Sequence, residues 1–297
     1  MANNRIDTCP ICSGIHLIHQ YTYTDYITEH PFEILQCCDC GLFITQNAPT
    51  SNDKSLYYPK TDSPLHPETK KGTINRAYRI FRSTWLKQKA SIVEQQSHRV
   101  SGVLLDIGCK TGDFVNTMRH RGWIAHGLEY NPFAREYGYS RHGVKIEEQQ
   151  KLLHIQPKSY NVVTAWDSIG EFEDLNKSFA AMCNLIVSDG TLIVAFPDVS
   201  SPAVRRYKDK WFSWDIPRKR WHFTPKTFEL LAHNYDMQIT EQKRYAKKSM
   251  GSYIMSEWLT NSKMHQTQSL LRGIFHEAAD RIKSSEPEYI VYTLKHK

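Results

Sequence analysis

Short apolar runs alternate with amphipathic stretches along most of this chain. Val103-Leu-Leu-Asp-Ile107 is a compact apolar run that ends in a glycine-containing turn, the pattern of a strand buried on both faces. Phe114 to Arg121 reads as a helix and Ile124 to Glu129 as a second strand. Pro132 then opens another helix at the position where proline is best tolerated. Val162 to Trp166 is a further strand. Phe179 to Val187 ends a helix stopped by Asp189-Gly190, and Thr191 to Phe196 is the next strand. Beyond Thr224-Pro225 the pattern predicts a helix through His233, a strand near Met237 to Thr240 and a final strand from Tyr289 to Leu294. Leu270, Leu271, Ile274, Phe275, Ala278 and Ile282 mark one more amphipathic helix, whose apolar stripe is expected to pack on the core. This βαβα rhythm predicts an α/β fold: a mostly parallel sheet with helices on both faces.

The first hundred residues follow a different pattern. Ile34 and Leu35, then Leu42, Phe43 and Ile44, flank a cysteine cluster as short strands. From Ala48 to Thr73 the chain is rich in Pro, Ser, Thr, Asp and Lys and reads as a linker. Ile74, Tyr78, Phe81 and Trp85 recur at helical spacing ahead of the main domain. The expected organisation is a small module over residues 1–47, a linker arm and helix over 48–98, and a large domain over 99–297.

The sequence has 297 residues, of which 40% are hydrophobic and 23% charged, enough apolar content for a packed core. The formal net charge of +7 suits an anionic small molecule, a nucleic acid or an acidic surface without choosing among them. No apolar run approaches the ~20 residues that cross a bilayer, and Met1 to Thr8 is polar, unlike a secretory leader. The expected location is the cytoplasm. Four of the seven cysteines fall in two tight pairs, Cys9-Pro-Ile-Cys12 and Cys37-Cys38-Asp-Cys40. In a reducing compartment such pairs read as metal ligands. Cys9, Cys12, Cys37 and Cys40 can surround one zinc ion tetrahedrally, and a closed four-thiolate site is structural. Cys38 has the wrong spacing to join them.

A second cluster sits at the start of the large domain. Asp106-Ile-Gly108-Cys-Lys-Thr-Gly112 follows a buried strand and opens a helix, so its backbone can approach a ligand at the helix N-terminus. Glu129 ends the next strand roughly 20 residues later, where an acid can accept the hydroxyls of a ribose.

Leu104 to Gly112 resembles the first motif of class I S-adenosylmethionine-dependent methyltransferases, and His126-Gly-Leu-Glu129-Tyr-Asn-Pro132 resembles their second. Tyr160 to Trp166 and Asp189 to Pro197 are similar to the fourth and fifth strands of that Rossmann-like fold. Trp211 to Thr224 resembles a bacterial subgroup that often carries an N-terminal four-cysteine zinc module of zinc-ribbon type, many members of which act on sugars or other small metabolites. The resemblance implies cofactor contacts from Asp106, Gly108, Gly112, Glu129, Tyr130 and Trp166. Three positions depart from the pattern. Lys110 stands where the turn usually has glycine, Gly170-Glu171 where the subgroup has a Glu-His pair, and Lys219 where it has histidine.

Three side chains are candidates for the proton-accepting group. His222 lies among Trp211, Trp214, Trp221 and Phe223, a stretch that reads either as the mouth of an aromatic pocket or as aromatic core. Asp167 and Glu171 follow the strand whose C-terminal end should face the cofactor. The basic runs Arg205 to Lys210 and Arg218 to Arg220 read as a hold for phosphate, as on a nucleotide-linked or phosphorylated acceptor, or as a solvated face. The leading expectation is methyl transfer to a small molecule. RNA methylation, with the zinc module gripping nucleic acid, is the alternative, and a non-catalytic cofactor-binding protein is a second one.

Overall fold

The structure is a computed structural model that describes residues 4–50, 53–58, 73–260, 266–284 and 287–297. Most of the expected polar linker therefore lies outside the described residues, as do the side chains of Ile74, Tyr78 and Phe81.

The N-terminal unit contains β1 (Leu17–Thr24), β2 (Pro31–Cys37) and β3 (Phe43–Thr45), and one 3-10 turn (Lys54–Tyr57) follows it. Helix α1 (Thr73–Ser97) leads into β4 (Val103–Ile107), α2 (Asp113–His120), β5 (Ile124–Glu129), α3 (Pro132–His142) and β6 (Ile146–Glu148). Then come β7 (Tyr160–Trp166), α4 (Leu175–Leu185), β8 (Ile186–Pro197) and α5 (Pro202–Tyr207). The chain continues through β9 (Trp221–His222), α6 (Pro225–Asn234), β10 (Met237–Arg244), α7 (Ala246–Thr260), α8 (Gln266–Ser284) and β11 (Tyr289–His296).

Seven strands form the main sheet in the order β10-β11-β8-β7-β4-β5-β6. The pairs β4–β5, β4–β7, β5–β6 and β7–β8 are parallel, and β11 runs antiparallel to both β8 and β10. The expected mostly parallel sheet is present. The apolar runs of β4 and β7 are buried along nearly their whole length, as strands covered on both faces must be. Reversal between β7 and β4 places a crevice at their C-terminal ends, where ligands of open α/β sheets bind.

The elements depart from expectation in three places. Helix α4 stops at Leu185, so Asp189-Gly190 falls inside the long strand β8 rather than ending the helix. Helix α7 had no periodic apolar signal to announce it. Helix α8 turns its apolar stripe outward: Leu271, Phe275 and Ile282 are exposed, while Ser269, Gly273, Glu277 and Asp280 face inward. Gly273 lies against the backbone of Ile254 in α7, and Arg206 of α5 pairs with Asp280 at 2.5 Å. A close helix crossing and ion pairing have overridden the hydrophobic period.

A second, four-stranded sheet runs β1-β2-β3-β9. Its fourth strand belongs to the C-terminal half of the chain: Phe43 and Ile44 pair with His222 and Trp221. Cys9, Ile11, Leu42 and Ile44 share one apolar cluster with Leu105, Ile107, Phe172 and Trp221. The N-terminal unit thus packs directly against the end of the main sheet that carries the crevice.

Candidate active site

The crevice is built from the turns that follow β4, β5 and β7. After β4, Gly108 and Gly112 adopt left-handed φ values of 71° and 72°. Gly108 also leaves no room for a side chain, since a Cβ there would lie 2.3 Å from Cβ of Ser168. Lys110 shares this left-handed geometry with φ 55°, which a non-glycine residue adopts at a cost of about 1–2 kcal/mol. Its backbone N–H donates to Glu129 at 2.9 Å, and the N–H of Asn131 donates to the other oxygen of the same carboxylate at 2.9 Å. Buried Glu129 is therefore locked in place, and each oxygen keeps a further lone pair for a ligand.

Asp106 is buried and accepts from Thr164 Oγ1 at 2.7 Å. Burial raises its pKa to about 6 against the opposing pull of Lys89. Lys89 comes from α1 and lies 4.9 Å over the ring of Trp166, and burial lowers its own pKa to about 7. Trp166 packs edge-on against Trp85 and Phe114, and its buried indole N–H has no partner among the described residues. Tyr130 lies beneath the ammonium of Lys54, 4.2 Å from the ring centroid.

The structure separates the three candidate bases sharply. Nε2 of His222 lies 2.8 Å from the hydroxyl of Thr45 in β3, and its ring meets Trp214 edge-on. Burial, with Lys219 nearby, lowers its pKa to about 3, so it binds protons weakly. Asp167 has φ 67° and holds the ammonium of Lys219 at 2.7 Å. Its burial favours the neutral acid, but Lys219, Lys248 and Lys110 outweigh that and hold its pKa below the usual carboxylate range. Glu171 is buried, accepts from the hydroxyl of Tyr58 at 3.1 Å, and has a pKa raised by burial to about 7.

Gly170 explains one departure from the family pattern. A Cβ there would lie 2.6 Å from the carbonyl oxygen of Trp221, and the N–H of Arg220 donates to the Gly170 carbonyl at 2.7 Å. The approach of β9 excludes any larger residue.

The aromatic stretch is largely core, although Trp211, His222 and Phe223 also line a small cavity with Asp167, Gly170 and Lys219. Trp211 and Trp214 are fully buried, and the indole N–H groups of Trp211, Trp214 and Trp221 donate to Glu288, the Lys208 carbonyl and the Phe172 carbonyl. The two basic runs differ: Arg205, Arg206, Lys208 and Lys210 are exposed, as a solvated face, whereas Arg218 to Arg220 are buried. Arg218 pairs with Asp25 at 3.0 Å and Asp215 at 2.6 Å, and Arg220 donates to the Ala48 carbonyl at 2.8 Å. The cations around the crevice are Lys219 of the second run together with Lys54, Lys89, Lys110 and Lys248. Lys110, exposed on the turn, lies among the carboxylates of Asp167, Glu171, Asp215 and Glu129, which raise its pKa. Sequence reasoning missed Lys54, Tyr58, Lys89 and Lys248, because a polar arm and two helix faces carry no motif.

Away from the crevice, the sulfurs of Cys9, Cys12, Cys37 and Cys40 all lie within 4.8 Å of one another. Cys9 and Cys40 are 3.5 Å apart, as are Cys12 and Cys37. Four thiolates at about 2.3 Å from one tetrahedral ion have edges of about 3.8 Å, so the cluster fits such an ion closely. Cys38 is exposed and outside the set.

A family model described as a methyltransferase domain matches residues 78–242. No curated protein matches the chain. Among solved structures, geranyl diphosphate C-methyltransferase from Streptomyces coelicolor A3(2) is similar at 10% identity and a TM-score of 0.57, over 84% of this chain and 99% of that one. Magnesium protoporphyrin IX methyltransferase from Synechocystis PCC 6803 is similar at 10% identity and a TM-score of 0.50, over 78% of this chain and 91% of that one. Those likenesses establish the fold. The family match spans more than half of the chain, and with it this protein belongs to the methyltransferase-domain family, as an S-adenosylmethionine-dependent methyltransferase.

Proposed function

We propose that the protein transfers a methyl group to a small molecule bearing a hydroxyl, amine or acidic carbon, with Glu171 as the general base. One observation carries this reading: the Glu171 carboxylate accepts from Tyr58 near Glu129 and Lys110, and burial raises its pKa to about 7, whereas Asp167 is pinned by Lys219 and His222 is hydrogen-bonded to Thr45. A base works best when its pKa is close to the working pH. S-adenosylmethionine, when bound, supplies a methyl group activated for in-line displacement. The residues that would hold it are Glu129 for the ribose, Tyr130 and Trp166 for flat or apolar parts, and the Gly108–Gly112 turn with Asp106 for the amino-acid end. The remaining lone pairs of the preset Glu129 carboxylate and the indole N–H of Trp166, which has no partner among the described residues, suit such a ligand. Glu171 would then accept the proton that the acceptor loses, while the walls of the crevice align the nucleophile.

The cations around the crevice favour an acceptor with an acidic group. The N-terminal unit would carry zinc on Cys9, Cys12, Cys37 and Cys40, as a structural ion that fixes the wall formed by β3. A nucleic-acid role finds less support, because the indoles that would stack on bases are buried.

The deciding experiment follows methyl transfer from labelled S-adenosylmethionine to phosphorylated or carboxylated small acceptors and to structured RNA. The expected result is transfer to at least one small acceptor that is lost in Glu171→Gln. Transfer to RNA alone would overturn the acceptor class, and full turnover by Glu171→Gln would overturn the base.

A further inference from the structure

The turn after the N-terminal unit reaches the crevice and closes on Glu171. Lys54 is buried although it lies in a polar stretch that reads as linker. Its ammonium donates to the main-chain carbonyl of Glu171 and lies over the ring of Tyr130. Four residues later, Tyr58 donates its hydroxyl to Oε2 of Glu171 at 3.1 Å. One short segment therefore grips Glu171 twice, once through its backbone and once through its carboxylate. A linker with no further task would leave Lys54 in water, since burying an ammonium costs several kcal/mol unless partners replace the solvent.

We propose that Lys54 and Tyr58 are positioning residues for Glu171: together they fix its backbone and its carboxylate beside the crevice. This rests on the reading of Glu171 as the general base.

The electrostatics follow from what surrounds that carboxyl group. Burial favours its neutral form. Glu129 at the end of β5 and Asp215 from the segment after Trp214 add repulsion and push the same way. Lys54, and Lys110 from the turn after β4, pull toward the charged form. Tyr58 stays protonated, because burial raises its own pKa, so it donates to the ionised carboxylate. Removing either arm residue takes support from the carboxylate, and the acid should then ionise at higher pH. The ordinary carboxylate range would be left further behind, and less of the base would be available at neutral pH.

The test titrates Glu171 directly by difference infrared spectroscopy of the full chain carrying ¹³C-labelled glutamate and saturated with S-adenosylhomocysteine. Glu171→Gln identifies the signal. Tyr58→Phe, nearly the same shape, and Lys54→Met should each move that titration upward by about one pH unit, and Lys54→Arg should restore most of it. In turnover assays the acidic limb of the kcat profile should move by the same amount, with little change in cofactor affinity. If the Glu171 titration stays in place in both Tyr58→Phe and Lys54→Met, the proposal is overturned. That outcome is distinct from failure of the base assignment. A moved titration together with full turnover by Glu171→Gln would leave the positioning role standing and remove the catalytic one.

Discussion

At the scale of single residues, the chemistry depends on how three similar-looking candidates are partnered. Asp167 is paid in full by Lys219, and His222 is held by Thr45 within the core, so neither offers a ready site for a proton. Glu171 keeps a pKa of about 7. A base must be ionised to act, so activity should be present above that pKa and decline as pH falls through 7. A kcat profile flat from pH 8 to pH 5 would contradict the assignment. Glu171→Gln should lower turnover by about 10²–10⁴-fold, while His222→Ala should act mainly on stability. Glu129 makes a separate prediction. Its carboxylate is preset by two backbone N–H groups, and Glu129→Ala should weaken S-adenosylmethionine binding by about 1–3 kcal/mol in calorimetry.

At the scale of elements, β9 is the pivotal piece. It is two residues long, yet it joins the N-terminal sheet to the loop that carries Gly170 and Glu171. Gly170 must stay small for that approach, and Gly170→Ala should destabilise the fold by about 1–3 kcal/mol, read as a lower midpoint in urea. Arg218 is the electrostatic counterpart of the same junction. It satisfies buried Asp25 near the end of β1 as well as Asp215, so Arg218→Ala strands a buried charge. The expected loss is about 3–5 kcal/mol. Lys at that position should recover little of it, because one ammonium cannot reproduce the forked contacts of a guanidinium.

At the scale of the whole molecule, the four-cysteine cluster and the crevice belong to one packed body. Cys9 and Ile11 share an apolar cluster with Ile107 and Phe172, and β3 presents Thr45 to His222. Metal analysis of unchelated protein should find one zinc ion. Its removal should lower Tm and turnover together, since the wall beside Glu171 loses its anchor. A chelated protein with unchanged turnover would show that the cluster only tethers the N-terminus.

The sequence by itself determined the alternation of strands and helices, the glycine turn, the acid at the end of β5 and the sulfur quartet. These are local: a period, a turn residue or a short spacing encodes each one, and Val103–Ile107 and Ile124–Glu129 begin and end where their apolar patterns do. The tertiary structure decided what long-range contacts control. The outward face of α8, the burial of Arg218 and the bond of His222 to Thr45 each depend on partners far away in the chain. Asp25 lies 193 residues from Arg218, and Thr45 lies 177 residues from His222. Lys54 and Tyr58 show the same rule most clearly. They lie in a polar stretch with no periodicity to read, and only the closing of β3 onto β9 brings them to Glu171, more than a hundred residues away.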